Sequence, residues 1–141
     1  MGADNLKINL DEYICERFDN GEHILFSSDI MKQNWTQRWQ VKNFLLTNRN
    51  MYYLNEDLEI KKSHKLTDII ALTVKQDDDL TDKYDFMVHI KNESDYMFYS
   101  KHREEIITCL RSAYFMITET NLPVFEVSMK IDKYRTRKNA P

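Results

Sequence analysis

The stretch Ile24 to Leu54, ILFSSDIMKQNWTQRWQVKNFLLTNRNMYYL, constrains the fold more than any other part of the chain. Ile24, Phe26, Ser28 and Ile30 alternate with Leu25, Ser27 and Asp29. The polar run Lys32 to Gln37 breaks that pattern. Alternation then resumes, with Trp39, Val41 and Leu45 set against Arg38, Gln40 and Lys42. Thr47-Asn48-Arg49-Asn50 is a second turn, built from residues that bond their own backbone or tolerate unusual φ. Met51 to Leu54 is a third strand. Two hairpins in succession predict an antiparallel sheet. Trp39 falls in step with Val41 and is expected to pack inside that sheet.

The rest of the chain extends the pattern. Leu10, Tyr13, Ile14 and Phe18 recur at helical spacing, with Asn9 as a cap and Asn20-Gly21 as the stop. This short helix packs on its own sheet or on a partner. Ile60 to Leu66 reads as a strand with a basic face of Lys61, Lys62, His64 and Lys65. Ile69 to Val74 is a buried, β-branched strand. Tyr84 to Ile90 alternates, with Phe86, Val88 and Ile90 on one face, and Asp95 to Tyr99 is the seventh strand. Ser100 then caps a helix in which Ile106, Ile107, Leu110, Ala113, Tyr114 and Ile117 form one stripe. Pro123 ends it. Seven antiparallel strands followed by one amphipathic helix predict an α+β fold, an open barrel plugged by its C-terminal helix. LPVFEVSMKI alternates again, as an eighth strand or an extended segment in a groove, with Phe125, Val127, Met129 and Ile131 facing one way. The chain reads as a single domain with a helical extension over 1–20, a core over 21–121, and an extended strand and basic tail over 122–141.

Composition narrows the function. A 141-residue domain buries roughly two thirds of its unfolded surface and needs no disulfide or metal staple. Only two Gly and two Pro occur, which argues against a loop-built or disordered scaffold. The net charge is −3, so the chain as a whole offers no electrostatic case for nucleic acid. Cys15 and Cys109 sit in apolar helical patterns and read as small buried hydrophobes. Neither a signal peptide nor a run of eighteen apolar residues is visible, which predicts a soluble protein in a reducing compartment. His23, His64, His89 and His102 lack metal-ligand spacing, and no Gly-rich phosphate loop or nucleophile elbow occurs. The acidic run Asp77 to Asp85 lacks the Gly and terminal Glu of an EF-hand loop. No enzyme, cofactor, metal or small-molecule substrate is expected. Met1-Gly2 begins like an acylation signal, but Leu6 stands where Ser or Thr is wanted.

The wording of several segments resembles one family. ILFSSDIMKQN…FLLTNRNMYYL is similar to the start of the class I myosin tail-homology domain, which is pleckstrin-homology-like. IKKSHKLTDIIALTV resembles that family's next hairpin. SDYMFYSKHREEIITCLRSAYFMITETNLPVFEV resembles the last strand, helix and following segment of small stand-alone versions found in protists. The resemblance runs from about Gly21 to Val127 and includes no motor.

It implies a headgroup site for inositol phosphates between the first two strands. A Lys late in the first strand and an Arg or Lys pair early in the second are the family's ligands. Lys32 fits the first position and Arg38 one of the second pair, while Gln40 stands where another Arg is wanted. Lys42, Lys61 and Lys62 are the other candidate lipid ligands, although a charged edge strand is also how sheets avoid aggregation. Phosphate recognition relies on clustered cations and bidentate Arg, so the thin set weakens the lipid reading. Trp35, at the turn, can enter a membrane interface, anchor a protein, or pack on its own sheet. The C-terminal segment supplies further protein-contact candidates: Phe125, Val127, Met129, Lys133, Tyr134, Arg135, Arg137 and Lys138. A polar tail has little of its own to offset the entropy of ordering, so it reads as a docking arm. The leading expectation is a non-enzymatic adaptor docking by protein contacts in a cytoskeletal assembly, a cilium among the candidates. The alternative is a peripheral membrane module that binds anionic phosphoinositides.

Overall fold

Both strands of the first hairpin are longer than their apolar runs, because one asparagine folds the turn between them. In the computed structural model, which describes residues 3–34, 36–75 and 84–128, β1 spans Ile24–Gln33 and β2 spans Trp39–Thr47. The Asn34 Oδ1 atom accepts from Thr36 N at 3.0 Å, Thr36 Oγ1 at 2.7 Å and Arg38 N at 2.9 Å. Asn34 N donates to the Arg38 carbonyl at 2.8 Å, and Gln37 takes the positive φ of 66° that closes the turn.

The strands that follow are β3 (Asn50–Leu54), β4 (Ile60–Lys65), β5 (Ile69–Lys75), β6 (Asp85–Ile90) and β7 (Tyr96–Tyr99). Helix α2 (Arg103–Thr118) and strand β8 (Val124–Val127) complete the order, which a four-residue helix α1 (Glu12–Cys15) begins. The sheet runs β4-β3-β2-β1-β7-β6-β5-β8. The expected seven antiparallel strands are therefore corrected to eight in a mixed sheet. The last one, left open as a strand or an extended segment, pairs in parallel with β5 from Leu72↔Val124 to Lys75↔Val127. The connection through α2 returns the chain along the β5 edge in the same direction, which a tight hairpin cannot do.

The pleat sorts side chains into two sets. Phe26, Ile30, Phe44, Leu46, Met51, Tyr53, Phe86, Val88 and Phe98 meet Ile106, Leu110 and Ala113 of α2 in the main core. On the outer face Leu45, Tyr52 and Leu54 are covered by Ile8 and Ile14 of the N-terminal segment. Asp4 ties that segment to β1, accepting from Ser27 Oγ at 2.5 Å.

Several expectations fall to this arrangement. Of the predicted N-terminal face, Leu10 and Tyr13 are exposed, because the helical part is one turn long; Ile14 and Phe18 reach the sheet, together with Leu6 and with Ile8 of the preceding 3-10 turn, Ile8–Leu10. Asp11 caps α1 in place of Asn9, accepting from Ile14 N at 3.0 Å. At α2 the cap position is His102, and Ser100 Oγ accepts from His102 N at 3.0 Å. Ile117 of the predicted stripe is exposed; of the two cysteines expected to be buried hydrophobes Cys109 is buried, whereas Cys15 is only half-buried at the end of the one-turn α1. Trp39 and Val41 do not pack inside. They belong to the outer set with Leu45, beyond the reach of the N-terminal segment, and stand 37% and 67% exposed. The Met1-Gly2 acylation signal and the acidic run at 77–82 lie outside the described residues. Among the described residues no helix is long and apolar enough to cross a membrane.

Candidate functional site

The inward row of β1 begins in the core and ends in charge. His102, just before α2, packs its ring against Phe26 at a centroid distance of 5.6 Å. Lys32 lies six residues further along the strand, roughly 20 Å from the helix-capped end. Its Nζ stands over the Tyr96 ring, 5.0 Å from the centroid. Lys62 Nζ approaches the same ring at 5.9 Å. A cation over an aromatic face gains from the ring quadrupole. Lys42 pairs with Ile30 across β1–β2 and precedes Phe44 by two residues, which gives it the inward register as well.

Three of the five candidate headgroup ligands, Lys32, Lys42 and Lys62, thus share the barrel-facing set. Arg38 is exposed at the lip of the same hairpin. Lys61 is not brought in. It is the extra residue where the β3–β4 register slips between Tyr53↔Lys62 and Leu54↔Ile60, and it is exposed. The expected basic face of β4 is also divided, because His64 turns inward and is 4% exposed.

An acid sits among these cations. Glu93, on the turn between β6 and β7, receives Lys62 Nζ at 2.7 Å and the Tyr96 hydroxyl at 2.8 Å on Oε1, and faces His64 Nδ1 at 2.9 Å through Oε2. Partial burial works against its charge, but the bonds from Lys62 and Tyr96 and the neighbouring charges hold its carboxyl below the ordinary value. The bond to Glu93 pushes the Lys62 ammonium up. Burial pushes His64 down, against the opposing pull of Glu93, so its ring is neutral at neutral pH. Burial also drives the Tyr53 hydroxyl well above its usual value. The Tyr53 hydroxyl and His64 Nε2 are buried without a hydrogen-bond partner.

Glu93, Tyr96 and His64 were not singled out as site residues by the sequence. The period-2 register of β4 carries a signal for His64, two residues from Lys62. Glu93 lies about thirty residues from both and becomes their neighbour only when the sheet curls.

On the outer side of the same hairpin Trp39 meets Tyr99 edge-on at 6.4 Å, and Tyr99 meets Tyr84 at 5.7 Å. Among the protein-contact candidates, Phe125 is 56% exposed on the edge strand, and Val127 packs against Met87 and Met97. Trp35, Met129, Lys133, Tyr134, Arg135, Arg137 and Lys138 lie outside the described residues. At the other end of the barrel a groove of about 640 Å³ runs between His23, Arg49 and Lys65 on one side and Cys109, Met116 and Ile117 of α2 on the other.

Solved structures share this architecture. The hSac2 domain of the human phosphoinositide phosphatase Sac2 aligns with a TM-score of 0.64 at 12% identity, over 89% of this chain and 89% of that one. The C-terminal domain of an unknown protein from Leishmania infantum aligns at 0.60 and 11% identity, over 79% and 99%. The pleckstrin-homology domain of human pleckstrin homology domain-containing protein family A member 5 aligns at 0.56 and 19% identity, over 70% and 83%. At such identities the likeness shows the fold alone, which is pleckstrin-homology-like. No curated protein matches the sequence. The sequence profile of the unconventional myosin tail, described as actin- and lipid-binding, matches residues 4–139. With nearly the whole chain matched and the fold in agreement, this protein belongs to the unconventional myosin tail-homology family, a family of binding modules.

Proposed function

We propose that this domain is a peripheral membrane module that takes an anionic phosphoinositide headgroup at the mouth of its barrel. One observation carries the reading: Lys32, Lys42 and Lys62 share the inward register, with Lys32 and Lys62 over a single ring, Tyr96. Arg38 adds a fork-shaped donor at the lip. Exposed Trp39 and Val41 stand on the outer side of the same hairpin, where an aromatic and an aliphatic side chain suit the interfacial layer of a bilayer. The family description, which names lipid, points the same way.

Docking on a protein within a larger complex, the reading the sequence put first, has less to stand on. Among the described residues its candidates are Phe125, exposed on the edge strand β8, and Val127, which packs against Met87 and Met97. The family description names actin and no cilium, so the proposal extends to membrane and actin cytoskeleton only.

Sedimentation with vesicles tests the proposal. The protein should pellet with phosphatidylcholine vesicles carrying phosphatidylinositol bisphosphate, and less as salt rises. Each cation near an anionic surface is worth about 1 kcal/mol, so the two-charge reversal Lys32→Glu should weaken binding about thirtyfold. Pelleting that is indifferent to the phosphoinositide overturns the proposal. So does pelleting with actin filaments alone, which moves the function to protein docking.

A further inference from the structure

The donors that converge on Glu93 form an anion site that is already built and already filled by the chain itself. Lys62 Nζ, Tyr96 Oη and His64 Nδ1 reach the carboxylate oxygens at 2.7, 2.8 and 2.9 Å. Lys32 stands over the same tyrosine ring. His64 is nine-tenths buried with its second nitrogen unpartnered, beside an unpartnered Tyr53 hydroxyl, and the two rings lie 5.3 Å apart. With Nδ1 donating to Glu93, Nε2 of the neutral ring is a bare acceptor and lends nothing to an anion, so the site rests on Lys62, Tyr96 and His64 Nδ1.

The backbone carrying Glu93 is fixed at both ends. Lys91 N donates to the Asp68 carbonyl at 2.8 Å, and buried Asp95 receives His89 Nδ1 at 2.8 Å. Asn92 turns the chain with a φ of 65°, in the region asparagine tolerates. The Glu93 side chain is 28% exposed, so its carboxylate stands at the edge of solvent.

We propose that Glu93 is a gate, an internal carboxylate that occupies the phosphate position of the mouth and yields only to a phosphomonoester. This rests on the membrane reading above and names its ligand class and its regulation. A phosphomonoester carries between one and two negative charges and three acceptor oxygens, against one charge and two oxygens on the carboxylate. It therefore outcompetes Glu93 for Lys62, Tyr96 and His64. A phosphodiester, with one charge and no additional acceptor, does not. The domain discriminates between phosphorylated inositol lipids and lipids whose only phosphate is a diester, and its apparent affinity is reduced by the fraction of molecules in which Glu93 is seated.

The test compares wild type, Glu93→Gln and a charge control, Glu16→Gln, whose carboxylate is exposed on the N-terminal segment. Phosphatidylcholine vesicles carry either phosphatidylinositol bisphosphate or phosphatidylserine at equal surface charge, and soluble inositol hexakisphosphate in a separate titration distinguishes a free phosphate source from a lipid one. If the gate is open in about a tenth of molecules, Glu93→Gln should bind bisphosphate vesicles about tenfold tighter than wild type. It should also gain on phosphatidylserine, while Glu16→Gln follows wild type. A second readout guards against a misfolded variant: in Glu93→Gln the amide signals of Lys62, His64 and Tyr96 should shift on adding inositol hexakisphosphate, in an otherwise native spectrum. If wild type binds bisphosphate vesicles and folded Glu93→Gln binds equally or less, the gate is wrong and the membrane reading stands. If neither protein binds vesicles or inositol hexakisphosphate, both are wrong.

Discussion

Phe98→Ala is expected to cost about 3–5 kcal/mol of folding stability, the range for emptying a fully buried aromatic site. Phe98 lies on β7, between β1 and β6, and is completely buried. Its ring meets those of Phe44, Tyr53, Phe86 and Tyr96 at 6.2, 5.8, 5.4 and 6.2 Å. These residues come from β2, β3, β6 and β7, so the one side chain joins both halves of the curled sheet. Alanine leaves a cavity the neighbours cannot fill without leaving the strands that hold them. Against a total of about 5–15 kcal/mol for a typical domain, the loss is a large share. Thermal unfolding should fall by about 10–20 °C for a chain of this size. Phe125→Ala, at an exposed aromatic on the edge strand, should stay within about 0.5 kcal/mol. Chemical denaturation checks both, and a Phe98→Ala loss below about 1.5 kcal/mol would count against this packing.

Glu22→Ala is expected to cost about 2–3 kcal/mol at neutral pH, and the loss should shrink in acid. Glu22 is a buried carboxylate just before β1. Its Oε2 accepts from Thr47 Oγ1 at 2.6 Å, the Tyr52 hydroxyl at 2.6 Å and Asn50 Nδ2 at 3.0 Å, and its Oε1 accepts from Asp19 N at 3.0 Å. Alanine takes the shared acceptor from all four donors, and leaves Thr47 Oγ1 only the Asn50 carbonyl at 3.3 Å and Asn50 Nδ2 only the Tyr52 hydroxyl at 3.1 Å. Burial on its own raises the carboxyl pKa, but the four bonds prevail and hold it below the ordinary value. Burial and the bond to Glu22 push the Tyr52 hydroxyl up in turn. A carboxyl depressed in the folded state contributes its full stability above the unfolded value of about 4.3. That contribution disappears as pH falls through the folded value. Denaturation midpoints of wild type and Glu22→Ala should converge from neutral pH toward strong acid. A gap independent of pH would mean that the carboxylate's charge is not what the cluster holds.

The strands were legible because alternation survives in a single sequence. β1, β2, β3, β5, β6 and β7 all stand near where period-2 runs place them. Alternation separates two faces but does not say which one faces the barrel. In β2 the set Trp39, Val41 and Leu45 looked apolar enough to go in, yet Phe44 and Leu46 do so. Leu45 is buried only because Ile8 and Ile14 arrive from elsewhere to cover it. The site was half legible for a related reason. Lys32, Arg38 and Lys42 lie on one hairpin, so local pattern and family resemblance were enough to name them as candidates. Glu93 and Tyr96 reach Lys62 across a sheet that must first curl, and the pairing of His64 with Glu93 spans 29 residues. The same curl converts a strand that read as a basic solvent edge into one with an outward half and an inward half. Lys62 faces Tyr96 there, while Lys61 is left on a bulge.

The central claim, that the inner row of the first hairpin and its lip form the lipid site, is tested most directly by amide chemical-shift mapping on nanodiscs. Discs with and without phosphatidylinositol bisphosphate would be compared. The claim predicts shifts or broadening at Lys32, at 36–42, at Lys62 and over 93–96, all dependent on the phosphoinositide, with α2 and β8 unaffected. Perturbation confined to α2 or β8, or a spectrum unchanged by the phosphoinositide, would contradict it.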